Sequence, residues 1–265
     1  RKWTSNSQEV MEELRKNPTF SKSEPLINID NSIATTSSRV THGDQPIPIT
    51  NPRVLGQIWN TSTDQRKIEL TKILDDVKHH NVTKRVILST TAKFYDPLGL
   101  ISPIVLMFKL LFQQLCKSDL SWDEILNEDM SRRWQLLINS LKEANSLNRC
   151  YCKELFLEET KSVQLHAFGD ASESSYGACV YLRCEHESDV HCNLVAAKTR
   201  VAPMTKQTIP RLELLSCLVA ARLLVSVKEA ISEILTIESE TMWTDSTTAL
   251  HWIRNTEKEY KVWVQ

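Results

Sequence analysis

The segment "LHAFGDASES", residues 165–174, decides how the second half of this chain folds. A strand-like run ends at Gly169, an aspartate follows at once, and small polar residues come next. Aspartate is depleted in strands and costly to bury. Asp170 is therefore either a turn or cap residue or a metal ligand, and its surroundings have to separate the two. From Val163 onward the apolar pattern has period two. Residues 163–169, 176–183 and 192–200 predict three short strands, the last two joined by the polar turn "CEHESDV". "TKQTIPRLELLSCLVAARLLVSVKEA" (205–230) predicts a long helix, with Thr208 near its cap and Pro210 in its first turn. "ETMWTD" (240–245) predicts a fourth strand, and "STTALHWIRN" (246–255) a helix capped by Ser246. Strands followed by a strand–helix alternation predict an α/β fold with a mixed sheet and helices packed on it.

Upstream the pattern differs. Residues 5–19 predict a short polar helix capped by Ser5 or Ser7, with Val10, Met11 and Leu14 as its apolar stripe. Residues 21–52 are rich in Ser, Thr, Pro and Asn and predict loop, and "RVLGQIW" (53–59) predicts a strand. From Thr61 to about Arg149 the signal is helical. Thr63 or Asp64 can cap a first helix, whose apolar face holds Ile68, Leu70, Ile73 and Leu74. Asp96-Pro97 and Gly99 break the next one, because the residue before proline avoids the α region. Ser102 and Pro103 then predict a helix start, and the helix runs to about Lys117. The stretch 120–147 predicts another long amphipathic helix, with Trp134, Leu137, Ile138 and Leu141 on one side.

Composition bounds the function. The chain has 265 residues, 41% hydrophobic and 25% charged, with a net charge of −1. That fits a soluble globular protein of one large or two ordinary domains and excludes a globally basic nucleic-acid binder. A local basic patch remains open. Seven cysteines without framework spacing read as reduced thiols of an intracellular protein that is not secreted. No signal peptide is present, and the most apolar window carries Pro103 and Lys109, so no membrane partner is expected. The start "RKWTSNSQEV" reads as a piece of something longer.

Three carboxylates stand out by position: Asp170 at a strand end, Glu213 in the first turn of the long helix, Asp245 at another strand end. Glu213 shares its helix face with Ser216, Cys217 and Ala220, small residues that let a helix lie close to a sheet. Singly, each acid has an ordinary use: Asp170 in a turn, Glu213 at the positive end of the helix dipole, Asp245 beside a cap. Together they point to a divalent cation, and oxygen-only ligands suit Mg²⁺ or Mn²⁺. Two such ions can activate a water and stabilise the leaving oxygen in phosphodiester cleavage. The stretch "LVAAKTRVAPMTKQTIPR" (194–211) adds Lys198, Arg200, Lys206 and Arg211 with no acid, as phosphate contacts require, although a solvated strand face would look the same.

"FGDASESSYGACVYLR", "KTRVAPMTKQTIPRLELLSCLVAARLL" and "WTDSTTALHWI" resemble the ribonuclease H domain of Bel/Pao-type retrotransposon Pol polyproteins. "RKWTSN", "VLGQIW", "TKRVILSTTAKFYDPLGLISPIVLMFK" and "WDE" are similar to the end of the reverse-transcriptase region of the same elements. The resemblance implies three parts: residues 1–60 as the tail of the palm, 61–158 as a helical thumb and connection, and 161–265 as an incomplete ribonuclease H-like domain. It implies an endonuclease that cuts the RNA strand of RNA–DNA hybrids with two Mg²⁺ ions, in a cytoplasmic particle or the nucleus. Asp170, Glu213 and Asp245 match the first three of its four carboxylates, as catalytic and metal residues. Lys198, Arg200 and Arg211 are the expected nucleic-acid contacts, and the rest of the Pol polyprotein is the expected protein partner. The fourth carboxylate should lie tens of residues beyond Asp245 and is not in this chain, which puts activity of this piece alone in question. A non-catalytic module that grips nucleic acid on a truncated nuclease scaffold is the alternative. An integrase would order its acids Asp, Asp, Glu, and no aspartic-protease triplet occurs, so peptidase activity is not expected.

Lesser candidates complete the reading. "CEHESDVHC" (184–192) holds Cys184, His186, His191 and Cys192, a possible zinc set with non-standard spacing and an acidic tip. Cys150 and Cys152 are weaker still. "LDD" at 74–76 reads as helix surface, Trp122 and Trp134 as core, and His166 as a buried or hydrogen-bonded histidine.

Overall fold

The computed structural model describes residues 2–3, 53–54, 57–60, 65–67, 70–78, 81–144, 148–150, 160–187 and 189–255. The expected helix at 5–19 and loop at 21–52 lie outside them. The strands are β1 (Lys2–Trp3), β2 (Arg53–Val54), β3 (Gln57–Asn60), β4 (Gln65–Lys67), β5 (Asn148–Cys150), β6 (Ser162–Ala171), β7 (Ser175–Glu185), β8 (Val190–Val201) and β9 (Ser239–Trp243). The helices are α1 (Thr71–Lys78), α2 (Lys84–Ala92), α3 (Ser102–Lys117), α4 (Glu128–Ala144), α5 (Ile209–Ile231) and α6 (Thr247–Arg254). The α/β expectation is met. Strands β6, β7 and β8 form an antiparallel meander, β9 runs parallel to β6, and the sheet order is β1-β9-β6-β7-β8.

Period-two burial makes this sheet one-sided. Along β6, Val163, Leu165, Ala167 and Gly169 are buried, while their odd-out neighbours Gln164, His166, Phe168 and Asp170 are not. On the buried side α5 packs Leu223, Leu224 and Val227 against Leu165, Val180 and Leu182. The 23 residues of α5 run over the sheet and deliver the chain to β9, the crossover that a parallel pair demands. Thr208 is the N-cap of α5, as expected, so within the stretch 205–230 the first helical residue is Ile209. Pro210 is its second residue, and the ring would clash with the carbonyl of Lys206 if the helix extended backward.

The helical region has its own core, in which Phe108 and Trp134 meet edge to face at 5.5 Å and Phe94 lies 5.1 Å from Phe108. Four expectations are corrected here. "RVLGQIW" is not one strand but a hairpin of β2 and β3. Residues 61–149 are not all helical: β4 and β5 pair with each other, so the first helix starts at Thr71 and not after Thr63 or Asp64. The backbone pairing of Gln65–Lys67 with Asn148–Cys150 is non-local and overrides the local helical pattern. The last long helix begins at Glu128, not near Leu120, and the cap of α3 is Ile101 with Ser102 and Pro103 inside the first turn. Among the described residues, no helix is long and apolar enough to cross a membrane. Cys116, Cys179, Cys184, Cys192 and Cys217 carry free thiols.

The two regions meet at the edge strand β8. The Ala197 amide donates to the Leu98 carbonyl at 2.8 Å, and the Gln113 side chain donates to the Ala202 carbonyl at 2.7 Å. The unpaired edge is thereby covered by the turn that precedes α3. Gly99 sits at φ +71°, and a Cβ there would fall 1.7 Å from the Ala197 carbonyl oxygen. Gly99→Ala combines left-handed strain with a backbone clash and is expected to cost about 3 kcal/mol in denaturant unfolding. Hydrogen exchange should show the Ala197 amide losing protection first; unchanged protection there would contradict the docking described.

Candidate metal centre

Parallel pairing sets two of the three acids side by side. In the register of β6 and β9, Phe168 faces Trp243. Asp170 and Asp245 each lie two residues further on, so they emerge together from strands about 4.8 Å apart. Asp170 is the penultimate residue of β6, and Asp245 lies in the turn just past β9 rather than within the strand. Neither closes the adjacent turn or caps the adjacent helix. The turn after Asp170 closes through Ser172, whose amide donates to the Ser175 carbonyl at 2.7 Å. The cap of α6 is Ser246, whose hydroxyl accepts from the Ala249 amide at 3.2 Å. Asp170 takes one short bond at Oδ1 from the Ala171 amide, 2.7 Å.

The third acid comes from above. Glu213 lies just past the first turn of α5, and its side chain is buried. The helix reaches the sheet because Gly169 has no side chain: a Cβ there would meet the Ser216 carbonyl oxygen at 2.9 Å. Ser216, fully buried, folds its hydroxyl back onto the Glu213 carbonyl at 2.7 Å and keeps the contact thin. The result is that ligand oxygens of Asp170, Glu213 and Asp245 all lie within 4.8 Å of one another.

Such a cluster stores repulsion. Burial first, then the charges of Asp170 and Asp245, push the Glu213 carboxyl from 4.5 up to about 7, against a smaller opposing pull from the Ala171 amide. Oε2 of Glu213 is buried with no hydrogen-bond partner among the described residues. A buried, unpartnered carboxylate oxygen facing two more carboxylates is what a hard divalent cation satisfies, so the residues fit Mg²⁺ or Mn²⁺.

The basic residues divide. Lys198 and Arg200 lie on β8, where Arg200 and Arg222 both act on the Lys198 charge. Arg211 lies eleven positions before Arg222 on α5, about 16 Å away along the helix axis. Arg222, which was not among the expected contacts, is the α5 residue that stands near Lys198 and Arg200. The zinc candidates do not gather. Cys184 is buried in the sheet core, and His186 and His191 only meet ring to ring at 5.5 Å. Among the described residues no second group of three ligands forms. His166 is hydrogen-bonded at both ring nitrogens, to Trp243 Nε1 at 3.1 Å and to Gln164 Oε1 at 3.2 Å. Trp134 is core, Trp122 lies half-exposed under Lys84 at 5.2 Å, and Asp75 of "LDD" is exposed on α1.

The family model for the Pao retrotransposon-like RNaseH-like domain matches residues 83–246, more than half of the 265. The chain belongs to this Pao family. The match runs from Thr83, the cap of α2, to Ser246, the cap of α6, and includes all three carboxylates. No curated protein matches the chain. It is similar to solved structures of a foamy viral protease-reverse transcriptase. One, in complex with RNA/DNA hybrid, is 13% identical with a TM-score of 0.42 over 81% of this chain and 27% of that chain. Another, in complex with dsDNA, is 14% identical with a TM-score of 0.39 over 80% of this chain and 40% of that chain. The chain thus spans 27% and 40% of those two proteins.

The raised Glu213 carboxyl has a pH signature. Without metal, the folded state holds this proton more tightly than the unfolded chain does. Its stabilising contribution is complete below about pH 4.5 and is lost as the pH rises through about 7. Melting followed in chelator from pH 5 to 8 should therefore show this part of the stability declining. Glu213→Gln should remove that part of the slope, and a slope identical in both proteins would refute the cluster's electrostatics.

Proposed function

We propose that this Pao-family chain hydrolyses the RNA strand of RNA–DNA hybrids at a two-metal site held by Asp170, Glu213 and Asp245. The observation that carries the reading is the convergence of three carboxylates from two strand ends and a helix, one of them buried with an unpartnered oxygen. Two Mg²⁺ or Mn²⁺ ions, when bound, supply an activated water and charge neutralisation at the leaving oxygen. The chain's own residues do the rest. Asp170 and Asp245, exposed at the strand ends, face the side from which a phosphodiester arrives. Glu213, anchored by α5, fixes the depth of the site. Its tendency to hold a proton near neutral pH is reversed by any cation that binds.

In this reading residues 161–265 are the ribonuclease H-like domain, 61–158 the thumb and connection, and 1–60 the tail of a palm. Lys198, Arg200 and Arg211 contact phosphates of the bound strands, adding affinity without reading sequence. The partners are a hybrid duplex and the remainder of a Pol polyprotein, and the setting is intracellular. The order Asp, Glu, Asp favours this chemistry over an integrase, and no residue set supports peptidase activity.

Hybrid cleavage is measured with Mg²⁺ on the chain and on a version extended at its C-terminus. Asp170→Asn is expected to lower the rate by at least about 100-fold with hybrid affinity retained. Cleavage that survives Asp170→Asn or chelation would sink the proposal. Hybrid binding with no metal-dependent cleavage in either version would make the chain a nucleic-acid-binding module instead.

A further inference from the structure

Of the three acids, Asp245 is held least by its own side chain. Glu213 is buried under α5, and Oδ1 of Asp170 accepts the Ala171 amide at 2.7 Å. Asp245 is exposed, and among the described residues no hydrogen bond or ion pair reaches its carboxylate. It also lies past Trp243, the last residue of β9. Its place therefore depends on what fixes the backbone from residue 244 to 246.

Thr244 does this from the buried side. It is buried between half-buried Trp243 and exposed Asp245. Its hydroxyl oxygen accepts the Ser246 amide at 3.2 Å, so one bond spans Asp245 from neighbour to neighbour. Ser246 in turn accepts from the Ala249 amide at 3.2 Å, which ties the start of α6 to the same turn. The hydroxyl proton is left for a second partner, and that partner is on α5. Burial chiefly pushes the Cys217 thiol up, and hydrogen bonds with Thr244 and Ser216 pull against it. Cys217 is buried one turn past Glu213, on the same face of the helix.

The turn of α5 at Ser216 and Cys217 thus touches both strand ends. On β6 it rests on Gly169, where a Cβ would meet the Ser216 carbonyl oxygen at 2.9 Å and the Cys217 amide nitrogen at 3.3 Å. On β9 it bonds Thr244. Gly169 precedes Asp170 and Thr244 precedes Asp245, so each aspartate directly follows a residue that α5 holds. A bare glycine contact sets only how closely the layers approach. A hydrogen bond has a preferred angle as well as a length, so the Thr244 hydroxyl also sets orientation. We infer that Thr244 is a positioning residue of the metal centre: its hydroxyl joins α5 to the turn 244–246 and so holds Asp245 against Glu213. Its part in cation binding rests on the metal reading above, whereas the tie to α5 does not.

The full chain is titrated with Mn²⁺ by calorimetry, and melting in chelator is recorded for each variant. Loss of a group that orients a metal ligand costs about 10- to 100-fold in metal affinity. Thr244→Val keeps the shape and removes the hydroxyl, so it should weaken Mn²⁺ binding at least about tenfold. Thr244→Ser keeps the hydroxyl and should bind as the parent does. Cys217→Ala cuts the tie at its α5 end and should also weaken binding. The two losses should not add in Thr244→Val combined with Cys217→Ala, because both remove one bond. Thr241→Val makes the same exchange at another buried threonine of β9 and should leave Mn²⁺ affinity unchanged. Parental affinity in Thr244→Val overturns the proposal and leaves the metal centre intact. Equal weakening in Thr244→Ser or Thr241→Val also overturns it, because the loss is then one of folding and not of orientation. If Thr244→Val does not fold, parental affinity in Cys217→Ala is the overturning result. No Mn²⁺ binding by the parent removes the metal centre and this role together.

Discussion

The contact between Gly169 and Ser216 is the constraint on which the site depends. A helix resting on a sheet is ordinarily held off by side chains from both layers. Here β6 offers a bare backbone at Gly169, and α5 offers a serine whose hydroxyl is turned back onto its own helix. The helix sinks until a Cβ at Gly169 would be 2.9 Å from a carbonyl oxygen. Glu213, one turn earlier, is carried down with it. Without that approach the third carboxylate would stand above the sheet, and Asp170 and Asp245 would be two exposed acids at a sheet edge.

Closeness has an electrostatic cost that the rest of the structure does not relieve. The amide of Ala171 serves Asp170, Ser246 serves the start of α6, and nothing described serves Oε2 of Glu213. The fold is thus better satisfied with a cation than without one, which is the usual mark of a site shaped for binding and not for stability. A purely structural cluster would carry a lysine or arginine among the acids. Lys198 and Arg200 instead stand on β8, and Arg222, which acts on Lys198, lies nine residues past Glu213 on α5.

The edge of the sheet links the two regions. Strand β8 ends the sheet order and would expose unpaired backbone, but Leu98 accepts its Ala197 amide. This single use of the turn before α3 protects an edge, orients the helical region and forms the cavity that Lys109 shares with Lys198. Gly99 is the residue that permits it, by a positive φ and by the absence of a side chain where the strands' backbone comes closest.

The sequence by itself determined the sheet, because period-two burial along β6 and β7 needs only the alternation of residues such as Val163, Leu165 and Ala167 with polar neighbours. It also marked the acids, since Asp170 and Asp245 break apolar runs and Glu213 is the lone acid in an apolar stretch of α5. It did not determine β4 and β5, whose local pattern is helical and whose pairing joins residues more than eighty positions apart. Nor could it place Lys109 or Arg222 near Lys198, because charge on a surface carries no period that fixes its partner. Which acids meet, how deeply Glu213 is buried and how high its carboxyl is pushed were decided by tertiary structure. Those quantities depend on distances between elements, and only the packing of α5 onto β6 at Gly169 sets them.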